Sequence, residues 1–210
     1  MVAMDILEEL EKVPQQPEDL ASCDLLGFDT ETTGLGPGSS IISASLVLRD
    51  RKSGEDKVEN FLLNPHAPID PGAAAVNGFT QEFVEKNGGD QKEGLEKMAK
   101  AIILAQLKGI PLVAYNAKFD VSMLKSDLEK VGRGDLAEKL SRLSVLDPLV
   151  FDRALSTREM LSVYSADSSA NSPIRSYSSL PVTLIRTMVP LIYSFSVSTK
   201  TYPSTSGASI

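Results

Sequence analysis

The stretch from Leu25 to Leu35 constrains the fold more than any other part of this sequence. It reads Leu-Leu-Gly-Phe-Asp-Thr-Glu-Thr-Thr-Gly-Leu, so an apolar run continues directly into two acids one residue apart and then into a glycine turn. Alternate residues of a β-strand point to the same face of its sheet. We therefore expect Asp29 and Glu31 to lie side by side where a first strand opens into a loop.

Two neighbouring carboxylates on an otherwise apolar strand are unfavourable by themselves, because they repel each other and lose hydration. A divalent cation between them would offset both costs, and hard oxygen ligands suit Mg²⁺ or Mn²⁺. The alternative is an acidic strand end that is merely solvated. Taken alone, Asp29 and Glu31 leave the two interpretations equally open.

The elements around this stretch predict an α/β fold. After a short amphipathic helix from Met4 to Val13, apolar spacing predicts three strands that pair as an antiparallel meander: Leu25 to Thr30, Ile41 to Leu48 and Val58 to Leu63. Four further elements alternate as helix, strand, helix and strand: Lys92 to Leu107, Pro111 to Tyr115, Asn116 to Val131, and Val145 with Leu146. The sequence therefore predicts a mixed sheet, antiparallel and then parallel, flanked by helices.

A second strand end repeats the pattern of the first. The predicted strand from Pro111 to Tyr115 ends at Asn116, and the next helix carries Asp120 in its first turn. Ligands of α/β proteins gather at the carboxyl ends of strands, so we expect Asp120 to meet Asp29 and Glu31 across one cleft. A favourable charge at a helix N-terminus is the alternative role for Asp120.

These residues carry a resemblance to a known family. The segments Phe28–Leu35 and Asn116–Asp120 resemble the first and second motifs of the DEDD (DnaQ-like) 3′–5′ exonucleases. Between them, Asn64-Pro65 and Ala75–Thr80 are similar to a stretch typical of proofreading (epsilon) subunits of bacterial replicative polymerases. Asn77 stands where those relatives usually have histidine. The resemblance extends over about residues 25–155.

The resemblance implies a ribonuclease-H-like fold and hydrolysis of phosphodiesters at the 3′ end of single-stranded DNA, with RNA left open as a substrate. Two Mg²⁺ (or Mn²⁺) ions, ~3.5–4 Å apart, would be held by Asp29, Glu31 and Asp120 as the catalytic acids. A replicative polymerase subunit is the implied partner. Five further positions match substrate-binding residues of the family: Thr32, Thr33, Leu35, Asn116 and Phe119.

The family's third motif is missing from this chain. That motif supplies a fourth aspartate, preceded by histidine five residues earlier or by tyrosine four residues earlier. No histidine follows His66, which we expect to be solvated in a proline-rich loop. Tyr164 and Asp167 are three residues apart and miss the tyrosine version by one. Asp147 and Asp152 lie too early, and we expect them to cap structural elements instead.

The composition changes abruptly near Ser156. Residues 156–210 contain 21 Ser or Thr and only six charged side chains, without a sustained helical or strand pattern. We therefore predict a C-terminally incomplete exonuclease-like domain at residues 1–155 and a Ser/Thr-rich tail at residues 156–210. A frame change or truncation near Arg153 to Ser156 would explain the change, whereas a natural tail or linker is the alternative. An intact third motif in another reading frame of the gene would support the first explanation.

Loss of the third motif has chemical consequences. One fewer carboxylate weakens the hold on a second ion, and loss of the activating base removes proton transfer worth ~10²–10⁴-fold in rate. The sequence therefore predicts a proofreading-type exonuclease of impaired activity. The alternatives are a non-catalytic remnant that binds nucleic-acid ends or a polymerase subunit, and an RNA-trimming exonuclease.

Charge and composition limit the partners. The net charge of −7 excludes a long basic surface for nucleic acid, so any contact is expected to be local. The single cysteine, Cys23, cannot form an internal disulfide and fits a reducing compartment. Residues 1–13 are acidic rather than basic and then apolar, and residues 180–197 contain Arg186 and two prolines. We therefore predict a cytoplasmic protein that does not engage a membrane.

Overall fold

A six-stranded mixed sheet organises the computed structural model, which describes residues 4–150. The strands lie in the order β4-β3-β2-β1-β5-β6. Pairing is antiparallel between β1 and β2 and between β2 and β3, and parallel in the other three pairs. The predicted meander followed by parallel strands is therefore confirmed. The strands are β1 (Leu25–Thr32), β2 (Ile41–Arg49), β3 (Asp56–Asn64), β4 (Gly89–Asp90), β5 (Leu112–Val113) and β6 (Val145–Leu146).

Helices connect and cover these strands. They are α1 (Ile6–Lys12), α2 (Pro71–Asn77), α3 (Gln81–Asn87), α4 (Gln91–Leu107), α5 (Ala117–Lys130) and α6 (Gly134–Lys139), with a 3₁₀ turn at Leu140–Arg142. Side chains at the starts of four helices cap their backbones, as Asp90 does for α4 by accepting a hydrogen bond from the Glu93 N–H. None of the helices within residues 4–150 is long and apolar enough to traverse a lipid bilayer.

The main core lies on the face of the sheet that α1, α4 and α5 cover. Leu26 and Phe28 of β1 pack there with Leu95 and Ile102 of α4 and Leu124 of α5, and all five are buried. A second cluster on the opposite face contains Cys23, Leu25, Val47, Val113 and Leu146. Strand alternation therefore places Thr30 on the helix-covered face, and Asp29 and Glu31 on the face of Leu25.

Several predicted boundaries differ from those observed. The predicted strand at 111–115 is only Leu112–Val113, and the two-residue strand β4 was not predicted. The sequence predicts short helical turns at 73–76 and 80–84, around the turn signal Asn77-Gly78, and in the structure these are full helices, α2 and α3. The sequence also predicts the start of a helix from Pro148 to Leu155. Residues 148–150 are helical, and the remainder of the predicted segment lies outside the described residues. So do Asp152, the Tyr164 and Asp167 pair, and the whole tail.

Candidate active site

Strand β1 has a β-bulge beside its two acidic residues, between Glu31 and Thr32. Opposite β1, Glu31 pairs with Ser43 and Thr32 pairs with Ile41, so β2 carries one extra residue there. A bulge bends the strand and increases its twist, and bulges are common beside active sites. Asp29 and Glu31 are both half-buried on this stretch of β1.

The second acidic position is set by the turn from β5 into α5. Asn116 adopts a left-handed conformation (φ 60°, ψ 43°), which asparagine tolerates better than most residues. Its own side chain does not cap the helix. Instead, the Asp147 carboxylate that follows β6 accepts hydrogen bonds from the Asn116 and Ala117 N–H groups, both at 3.0 Å. The predicted capping role of Asp147 is thus confirmed, and this cap fixes the start of the helix that carries Asp120.

Asp120 is a buried carboxyl with little compensation. Its side chain is 4% exposed, and the Thr30 hydroxyl donates a 2.7 Å hydrogen bond to its Oδ1 atom. The pKa of Asp120 is raised to about 7, chiefly by burial and also by the negative charge of Asp29, while the Thr30 hydrogen bond acts to lower it. Burial also raises the pKa of Asp29. The charge of Asp29 on β1 therefore reaches Asp120 on α5, and both carboxyls have raised pKa values.

This carboxylate pair fits a divalent cation. Neither Asp29 nor Asp120 forms an ion pair with a basic residue between positions 4 and 150. A bound cation would reverse the electrostatic cost of holding both groups ionised, and carboxylate oxygens suit Mg²⁺ or Mn²⁺.

The predicted set of three acids is not gathered into one group. Within residues 4–150, no three His, Cys, Asp or Glu side chains are arranged so that they could hold a metal ion together. The structure brings Asp29 and Asp120 into electrostatic contact, while Glu31 lies on the same strand two residues farther along. The assignment of all three as metal ligands stays a prediction.

The loop after β1 uses its two threonines internally. The Thr32 hydroxyl donates to the Gly34 carbonyl at 2.7 Å, and the Thr33 hydroxyl accepts from the Ser40 N–H at 3.0 Å. Both threonines are buried, whereas Leu35 is 88% exposed. Of these three predicted substrate-binding residues, Leu35 therefore presents the most accessible side chain. The roles of all three in substrate binding stay predictions.

The remaining predicted substrate-binding residues flank the start of α5. Asn116 is exposed and Phe119 is half-buried, so both side chains have solvent-accessible surface. A groove of about 480 Å³ lies farther out, between residues 33–39 and 67–71. It shares Thr33 and Leu35 with the candidate site.

Two contacts at the site were not predicted from the sequence. Thr30 orients Asp120, and Asn77 links α2 to the end of β1, because its Nδ2 group donates to the Thr32 carbonyl at 3.1 Å. Strand alternation offered a signal for Thr30, since it places this residue opposite Asp29 and towards the helices. Asn77 stood out only as a departure from histidine. Val76, beside it, is 88% exposed.

Comparison with known proteins identifies the family. The model of the family RNase_T, described as exonuclease, matches residues 26–171, which is more than half of the chain. The chain is 38% identical over 106 residues to a DNA polymerase III PolC-type of Caldanaerobacter subterraneus subsp. tengcongensis, a match that covers 50% of this chain and 7% of the relative. It is 32% identical over 125 residues to the DNA polymerase III subunit epsilon of Treponema pallidum, covering 59% of this chain and 55% of the relative.

Solved structures of exonuclease I share the fold. One superimposes with a TM-score of 0.56 at 15% identity, covering 84% of this chain and 42% of that chain. Another, from E. coli in complex with a dA16 oligonucleotide, gives a TM-score of 0.53 at 18% identity, covering 64% and 30%. This likeness confirms the predicted ribonuclease-H-like fold. With the family match and the two polymerase relatives, it shows that the chain belongs to the RNase_T exonuclease family, the DnaQ-like 3′–5′ exonucleases.

Proposed function

We propose that this chain is a metal-dependent 3′–5′ exonuclease of the proofreading type, acting on the 3′ ends of single-stranded DNA. The observation that carries the proposal is the pair Asp29 and Asp120, two acids whose charges interact and whose pKa values are raised, without a basic ion-pair partner among residues 4–150. Such a pair is stable in its ionised form only when a cation joins it. The family membership supplies the reaction class.

The residues of the site would divide the work in a simple way. Asp29 and Asp120 would provide carboxylate oxygens for Mg²⁺ or Mn²⁺, with Glu31 as a third donor, and Thr30 would hold Asp120 in one orientation. Divalent cations, when bound, would lower the pKa of a water molecule and stabilise charge that develops on the phosphate oxygens. Leu35 and Phe119 would contact the terminal nucleotide, since both retain exposed surface beside the acids.

DNA is the substrate that the relatives favour. Two relatives are named as components of DNA polymerase III, and one neighbouring structure of exonuclease I holds a DNA oligonucleotide. These names also support a replicative polymerase as the partner. The chain spans only 7% and 55% of the two relatives, so substrate and partner are proposals for this chain.

A non-catalytic binding role is the second candidate. It is favoured by the lack of a three-residue metal cluster within residues 4–150 and by the missing third motif. In this version the domain would bind nucleic-acid ends or a polymerase subunit without hydrolysis. The domain boundary at residue 155 stays a prediction. The family match continues past it to residue 171.

One experiment separates the two candidates. The purified chain is incubated with 3′-labelled single-stranded DNA or RNA in Mn²⁺, beside Asp29→Ala, Asp120→Asn and the control Glu129→Gln, an exposed acid on the same helix as Asp120. We expect nucleotide release by the wild type and the control, and a loss of ~10²–10⁴-fold in both site variants, because several kcal/mol of charge stabilisation would be removed.

The other outcomes are equally informative. Absence of release, or equal release by Asp29→Ala, would contradict the enzyme proposal. Binding of Mn²⁺ and of the oligonucleotide without release would support the non-catalytic candidate. Faster release from RNA than from DNA would overturn the choice of DNA.

A further inference from the structure

Helix α5 carries a second buried carboxylate that the proposed chemistry does not use. Asp127 is 0% exposed and lies seven residues after Asp120, which is about two helical turns. It sits among the inward-facing residues Leu124 and Leu128. A carboxylate in such a position is costly unless its charge and its hydrogen-bonding capacity are both matched.

Both oxygens of Asp127 are matched, and both contacts lead to the same segment. Its Oδ2 atom accepts a 2.7 Å hydrogen bond from the Ile41 N–H, at the start of β2 beside the bulge. Its Oδ1 atom pairs with Lys130 Nζ at 2.8 Å. Lys130 in turn donates to the Ser39 carbonyl at 2.6 Å and to the Ser40 hydroxyl at 2.9 Å. One helical turn of α5 thus holds residues 39–41.

The held segment leads directly into the loop after β1. The Thr33 N–H donates to the Ser40 carbonyl at 2.8 Å, and the Ser40 N–H donates to the Thr33 hydroxyl at 3.0 Å. On the opposite side, the Thr33 carbonyl accepts from the Asp70 N–H at 2.8 Å. A continuous series of hydrogen bonds therefore connects α5 with the loop of residues 33–40, whose most exposed large apolar side chain is that of Leu35.

We infer that Asp127 is a positioning residue that fixes the loop of residues 33–40 relative to Asp120. The same helix then carries Asp120 and holds the loop that would contact the nucleotide, so one rigid element determines the spacing between that acid and the loop. The inference rests on the proposed function for what the loop contacts. Its physical basis is that small misplacements of a binding group lower productive binding steeply.

The test uses the full chain and three variants. Asp127→Ala removes both contacts, Asp127→Asn keeps an oxygen acceptor for the Ile41 N–H, and Glu129→Gln is a matched control on the exposed side of the same helix. Two quantities are measured: the hydrogen-exchange rates of the amides of residues 33–41, and the dissociation constant for 5′-fluorescein-labelled (dT)₈ in Mn²⁺.

For Asp127→Ala we expect faster exchange confined to residues 33–41 and oligonucleotide affinity lowered by about ten- to a hundredfold. Asp127→Asn should restore the affinity to within about threefold of wild type, since a neutral hydrogen bond replaces a charged one. The control should leave both quantities unchanged.

Three results would overturn the inference. They are exchange that rises uniformly across the sheet in Asp127→Ala, oligonucleotide affinity that stays at the wild-type value despite local loosening, and a wild type that does not bind (dT)₈. Nucleotide release by the wild type decides the proposed function separately, whereas exchange and binding decide the role of Asp127.

Discussion

The two ends of α5 hold buried aspartates that differ in how their charge is balanced. Asp120, near the N-terminus of the helix, accepts a hydrogen bond from the Thr30 hydroxyl and is repelled by the Asp29 carboxylate. Asp127, two turns later, has a backbone N–H and a lysine. Both side chains are less than 5% exposed, so burial does not distinguish them.

The difference separates a carboxylate that the fold itself neutralises from one that we propose to be a metal ligand. At Asp127 the chain itself supplies the opposite charge, and the contacts stabilise the folded state. At Asp120 the described residues supply no opposite charge. Burial therefore makes ionisation of this carboxyl unfavourable and raises its pKa. This lack of an opposite charge is the reason for proposing Asp120 as a metal ligand.

The strongest test of this comparison is the pH dependence of stability without divalent cations. The folded pKa of Asp120 is raised to about 7 from 3.8, so the folded state keeps a proton that the unfolded chain releases. The stabilisation is therefore complete below about pH 4 and is lost as pH rises through about 7, on the order of 4 kcal/mol in total. Asp120→Asn should lack this component.

Urea unfolding at several pH values, with a chelator present, measures the effect. The comparison of wild type with Asp120→Asn isolates Asp120, and Glu129→Gln controls for loss of one acid on the same helix. A difference between wild type and Asp120→Asn that does not change with pH would show that Asp120 is balanced in the folded chain, like Asp127.

Addition of a divalent cation should offset the electrostatic cost of ionised Asp120 at the N-terminal end of α5, and should have no such effect at Asp127. At a Mn²⁺ concentration one hundred times its dissociation constant, the free energy of unfolding should rise by ~2.7 kcal/mol near pH 7.5. Asp29→Asn and Asp120→Asn should abolish this increase, and Asp127→Asn should retain it. An equal loss in all three variants would mean that the cation does not distinguish the two ends of α5.

In the absence of metal, removal of the Asp127 carboxylate and removal of the Asp120 carboxylate should change the free energy of unfolding in opposite directions. Asp127→Ala leaves the Ile41 N–H without its acceptor, so the free energy of unfolding should fall by about 1.5–3 kcal/mol. Asp120→Asn should instead stabilise the metal-free protein near pH 7.5, because it removes the strained charge. Urea unfolding of both variants under one condition checks the signs, and the same sign for both would break the comparison.

The fold was largely predictable from local patterns. The apolar runs of β1 and β2 and the long amphipathic helix α4 identify two strands of the meander and the first crossover helix. Strand β4 was not predictable, because two residues, Gly89 and Asp90, have no period of their own. They become a strand only because the fold brings them beside Leu63 and Asn64.

The candidate site was predictable in part, for a related reason. Asp29 lies in the second half of β1, and Asp120 lies in the first turn of the helix that follows the neighbouring parallel strand β5, so sheet topology predicts that they lie near each other. The contacts of Thr30 with Asp120 and of Asp127 with Ile41 join residues about 90 positions apart. They depend on how α5 packs over β1 and β2, which no local pattern specifies. The assignments beyond residue 150 stay predictions.

The smallest expected effect concerns the cap that holds the N-terminal end of α5. Asp147→Ala removes the acceptor of the Asn116 and Ala117 N–H groups, and the left-handed Asn116 offers no side-chain cap in its place. Loss of a helix cap typically lowers the free energy of unfolding by ~1 kcal/mol, and the stabilisation by Mn²⁺ should remain. Thermal unfolding with and without Mn²⁺ measures both. If the variant kept its stability but lost the response to Mn²⁺, Asp147 would be a cation ligand. The cation would then be bound by a third carboxylate besides those of Asp29 and Asp120.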